Sequence, residues 1–110
     1  MKWRNFLGVG SKALPIWAAL CTGSADGSDK KYPAQAKHAV LAMVRAQESG
    51  AENAICSLLQ SKGWGYPTIQ KLKKLVQPFQ SDDPIMCDCH ERAAKTGAGI
   101  VVYPGPIEDA

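Results

Sequence analysis

Proline and glycine cut this chain into short pieces, and that limits what it can build. Pro33, Pro67 and Pro84 stand where helices would begin, Gly63 and Gly65 where one would end, and Pro78 and Gly97 stop two more. Proline's fixed φ suits a first helical turn, and its missing N–H breaks an interior one; glycine is the natural residue just past a helix end. A chain of 110 residues punctuated in this way is a single domain of short elements. It is large enough to bury about 60–70% of the surface of its unfolded form without help from a metal or a disulfide.

Between these stops the apolar residues recur at helical spacing. After Pro33, Ala36, Val40, Met43 and Val44 form one stripe, with His38 and Arg45 opposite, so His38 reads as a solvated surface histidine. Ser49 and Glu52 have the spacing of a capping box opening a second helix, whose stripe is Ala51, Ile55, Leu58 and Leu59, with Cys56 on its flank. After Pro67, Ile69, Leu72, Leu75 and Val76 predict a third helix over 67–77. Asp83 as N-cap, Pro84 at the first position and Gly97 beyond the last turn predict a fourth over 84–96. The run Ile100 to Tyr103 predicts one short strand. The expected fold is therefore mainly α, a small bundle of about four short helices with one short C-terminal strand. The alternative is an α+β winged helix in which 84–92 and 99–103 pair as a hairpin. Residues 1–21 read as an apolar and basic helical segment, 22–32 as a polar linker, and 33–110 as the helical domain with its C-terminal strand and tail.

The N-terminus admits two readings. Lys2, Arg4 and Lys12 precede the apolar run of residues 13–21, and small residues follow up to Ala25, the pattern of a cleavable export signal. The run is too short to cross a bilayer, which needs about 20 apolar residues, so the chain is not expected to be transmembrane. In the other reading Trp3, Phe6 and Trp17 are interface anchors, since tryptophan is enriched where proteins bind one another. Cleavage after Ala25 would leave three of the four cysteines. That odd number favours a reducing, intracellular setting over an exported one.

Charge is unevenly spread. Residues 53–81 carry Lys62, Lys71, Lys73 and Lys74 and no acid, whereas residues 82–110 carry two basic residues against six acids. A basic middle beside an acidic end points to an anionic partner. The sequence Met86-Cys87-Asp88-Cys89-His90 suggests metal or haem at first sight. The ligand set on offer, Cys56, Cys87 and Cys89 with either His90 or His38, lacks the paired spacings of a zinc site, and haem attachment uses C-x-x-C-H. In a helix, moreover, Cys87 and Cys89 point about 200° apart. No phosphate-binding loop, redox C-x-x-C or supported nucleophile is present, so neither a cofactor nor an enzymatic activity is expected.

Two functional expectations follow. In the first, the protein binds another protein chain, as a binding module or accessory subunit docking through Trp3, Phe6, Trp17, Ile100 and Val102. In the second, it is a helix-turn-helix or winged-helix-like nucleic-acid-binding regulator, reading through Thr68, Gln70, Lys71 and Lys74 on the 67–77 helix. A small exported protein with its signal removed stands as a third.

Overall fold

The computed structural model describes residues 14–107. Its elements follow one another as β1 (Ile16–Ala25), β2 (Lys37–Arg45), α1 (Ala51–Ser61), β3 (Trp64–Lys74), α2 (Pro84–Thr96) and β4 (Ala98–Pro106), with a 3-10 turn at Glu48–Gly50 ahead of α1. The strands form one antiparallel sheet in the order β3-β1-β2-β4. The expected helical bundle is thus overturned: the described residues form mainly sheet with two short α-helices. The segments after Pro33 and after Gly65 are strands, while the segments over 51–61 and 84–96 are helices. The winged-helix alternative fails too, because 84–96 is helical and β4 pairs with β2.

Both wrong assignments have a physical cause. In β2, the run Ala39 to Val44 is apolar throughout because both faces of this strand are covered. A doubly buried strand loses its two-residue alternation, and a continuous run contains any spacing one looks for. In β3 the cause is a bulge. Leu20 pairs with Lys71 and Cys21 with Ile69, so Gln70 is the extra residue. The bulge places Ile69 and Leu72 on one face although they are three apart, which imitates a helical stripe. Pro67 sits in β3 at a sheet edge, where a missing N–H is tolerated.

The sheet has a helix on each face. On the first face, Trp17, Ala19 and Cys21 of β1 and Val40, Ala42 and Val44 of β2 pack against Ala51, Ile55 and Leu59 of α1. Trp64 closes this core at one end, and the Trp17 indole N–H donates to the Ala46 carbonyl at 3.0 Å at the other. His38 belongs to this face as well. Far from being a solvated residue, it is 4% exposed, meets both Tyr32 and Trp64 in a cluster of three mutually touching rings, and has its Nδ1 2.9 Å from the Tyr103 carbonyl oxygen. On the second face Ile16, Ala18, Leu41, Met43 and Leu75 pack with Cys89 and Ala93 of α2.

The helix ends differ in how they are made. α2 starts and stops as its sequence predicts: the Asp83 carboxylate accepts from the Ile85 N–H at 2.9 Å, Pro84 follows, and Gly97 closes the helix at φ +93°. α1 does not use its capping box. Gly50 is the N-cap without a side-chain hydrogen bond, and Ser49 and Glu48 are taken up in the 3-10 turn. Gly99 lets α2 and β4 come together: a Cβ there would stand 2.7 Å from the Cys89 carbonyl oxygen. The apolar run of residues 13–21, read as an export signal or a helix, lies largely in β1, an inner strand paired on both sides. Cleavage after Ala25 would remove it.

Candidate functional site

The two helices do not cover their faces equally. α2 lies over β2 and β4; on the β1–β3 half of the second face Ile16 and Ala18 of β1 are buried, but Leu20 and the Lys71–Lys73 stretch of β3 are left open. On that half the strand pleat sets the chemistry. Ala18 and Leu20 of β1 and Leu41 of β2 form an apolar floor, and the register places Lys73 beside Ala18 and Lys71 beside Leu20 on the same face. The far wall comes from Leu75, Phe79 and Met86 at the end of β3, the connection and the first turn of α2. The result is a groove of about 400 Å³ with Leu20 37% exposed in its floor. Among the described residues, Lys71 and Lys73 are the charged groups lining it, and no carboxylate does.

The wall of the groove is braced from behind. The Phe79 ring stacks on His90 with centroids 4.3 Å apart and planes 14° from parallel, and Gln77 Nε2 stands 3.4 Å from His90 Nε2. Burial, with a smaller effect from the nearby Arg45 guanidinium, holds the His90 imidazole below its ordinary pKa. His90 therefore supports the wall as a mostly neutral ring.

The residues singled out in the sequence are placed as follows. Thr68, Gln70, Lys71 and Lys74 lie on the edge strand β3 and not on a helix, so the reading-helix geometry is overturned. Thr68 and Lys71 face the open half, Gln70 sits in the bulge, and Lys74 pairs opposite Trp17 on the other face. Trp17 is a core residue at 9% exposure. Ile100 and Val102, half-buried on β4, pack at the margin of the first-face core and pair opposite Ala42 and Val40. Trp3 and Phe6 lie outside the described residues.

The cysteines of the expected ligand set do not converge. Cys56 is on α1, across the sheet from Cys87 and Cys89 on α2. Cys89 is fully buried and its thiol donates to the Gly99 carbonyl at 3.4 Å, whereas the exposed Cys87 donates to the Ser81 carbonyl at 3.2 Å. Burial pushes the Cys89 thiol up to about 11, and burial together with the nearby Cys56 does the same to Cys21. Both are protonated at neutral pH and are poor nucleophiles. Among the described residues, no group of three His, Cys, Asp or Glu side chains is placed to hold a metal ion. No helix among them is long and apolar enough to cross a membrane.

Sequence reasoning had Lys71 in view but missed the groove. Its floor and wall draw on Leu20, Leu41, Phe79 and Met86, residues from four separate stretches. No local pattern joins them; only the sheet order does. Comparison of the chain with family models, with curated proteins and with solved structures found no match.

Proposed function

We propose that the protein is a binding module that docks an acidic, extended segment of another protein by strand addition along β3. The observation that carries this reading is the outer edge of β3, which no strand among the described residues pairs. It is 11 residues long, ends the sheet, and bears Lys71, Lys73 and Lys74 in a stretch with no acid. Unpaired main-chain groups along an edge supply affinity for an incoming strand, and its flanking side chains supply selectivity. The lysines do both jobs here. They repel a second copy of the same edge and favour a partner strand carrying Asp or Glu, because like charges placed opposite one another across strands are unfavourable. At the other end of the sheet Arg92 donates to the Ile100 carbonyl of β4 at 3.1 Å, which leaves β3 the better-suited edge.

The test is titration of the full chain with a labelled peptide alternating Glu with Val, and in parallel with a DNA duplex. Binding of the peptide with new amide-exchange protection in β3, weakened about tenfold or more by Lys71→Glu with Lys74→Glu, is the expected result. Tight duplex binding that falls steeply between about 50 and 200 mM salt, with no response to the peptide, would overturn it in favour of a nucleic acid.

A further inference from the structure

We infer that the groove beside β3 is a second site, which binds a small amphipathic anion: an apolar chain ended by a single carboxylate. The edge of β3 and the groove share the Lys71 and Lys73 side chains but differ in everything else. Strand addition engages main-chain groups at the rim of the sheet, whereas the groove lies over the sheet face, between the Lys71 and Lys73 side chains and α2. Three features define its ligand.

The first is size. About 400 Å³ falls within the range of small-molecule sites, and the groove has the usual composition of one, mostly apolar with a few polar groups, the two lysines on β3 and Gln80 and Ser81 on the connection. The second is the floor. Among the described residues Leu20 is one of five large apolar side chains left exposed, at 37%, and it sits mid-strand on an inner strand, where a sheet face is ordinarily covered. With Leu41 below and Phe79 and Met86 beside it, an alkyl chain laid there removes apolar surface from water on several sides. Met86 adapts to an irregular chain, being unbranched and polarisable. The third is charge. Lys71 and Lys73 stand two residues apart on the same face, and among the described residues no carboxylate lines the groove to neutralise them. Two ammonium groups at one side of an apolar trough select a negative head group, and a carboxylate accepts from both.

Octanoate and octylammonium, added to the full chain below their micellar concentrations, test this directly. They share one tail and differ in the sign of the head. Octanoate is expected to shift the methyl resonances of Met86, Leu20 and Leu41, and octylammonium to bind about tenfold more weakly or less. In Lys71→Met with Lys73→Met the tail site is kept and the preference is lost, octanoate weakening about tenfold. Equal binding of the two heads, or methyl shifts absent for both, would overturn the site. So would methyl shifts that appear on raising protein concentration alone, which would make a second copy the occupant. Leu20→Gln, at an exposed position, should abolish octanoate shifts at Met86 while the thermal transition stays in place; unchanged shifts would count against the groove. Peptide docking is read by amide protection in β3 and octanoate by side-chain methyls, so either proposal can fail without the other.

Discussion

The two faces of the sheet are built from the same strands and put to different uses. On the first, α1 lies across the middle and seals a core in which Ile55, Leu59, Val40, Ala42 and Cys21 are all at 0% exposure. On the second, α2 lies over one half only, and the other half keeps Leu20 in contact with solvent beside two lysines. Strand pleating makes the contrast sharp, since neighbours such as Ala19 and Leu20 belong to opposite faces. A sealed centre on one face suffices to hold the sheet, and the second is then free to leave apolar surface uncovered where a ligand can use it.

Four measurements would break or sharpen that contrast. The largest effect belongs to the sealed face: Ile55→Ala should destabilise the protein by about 2–5 kcal/mol in denaturant unfolding, because the side chain is fully enclosed and leaves a cavity. A loss under about 1 kcal/mol would mean that α1 can collapse onto the sheet and that the first face is less tightly filled than described. Next comes the start of α2. Asp83→Ala removes the acceptor for the Ile85 N–H and should cost about 1 kcal/mol.

A smaller effect concerns His90 and its stack on Phe79. Its pKa is held low in the folded chain, mainly by burial and then by Arg45, so the fold favours the neutral ring. This contribution is complete above the unfolded value near 6.5 and is lost as the pH falls through the lower folded value. The melting temperature should therefore decline from pH 7.5 to 5, and His90→Gln should flatten part of that decline; an unchanged slope would remove His90 from the account. Smallest of all, Leu20→Gln on the open half should change stability by no more than about 0.5 kcal/mol, as surface substitutions do. A loss as large as that of Ile55→Ala would show that the second face is as closed as the first.

The contrast also explains what the sequence could and could not reveal. α2 was legible from end to end, because its signals are local: Asp83, Pro84 and Gly97 act within one turn of themselves. α1 was legible from Ile55, Leu58 and Leu59, which follow one stripe over a single covered side. β2 was not, because burial on both faces erased the alternation that marks a strand. β3 was not, because one extra residue at Gln70 moved Leu72 into a helical spacing from Ile69. His38 was misread for the same reason as β2: placed on a helix it faces water, but on a strand it falls in line with Val40 and Ala42 and turns inward. The basic character of residues 71–74 was evident in the composition, yet the apolar trough beside them was not. Its parts meet only when β3 crosses to the outside of β1 and α2 stays over β4.

That last condition depends on an atom the protein does not have. Gly99 is where the α2 backbone touches β4, and there is no room for a methyl group between them. The distance from helix to outer strand on one side fixes how far the helix reaches over the sheet on the other. A larger residue at position 99 would have to push α2 inward across the sheet or lift it away, narrowing or flattening the trough some distance from the substitution. Gly99 acts as a spacer of zero thickness, and the width available to a ligand is set on the side of the helix that no ligand touches.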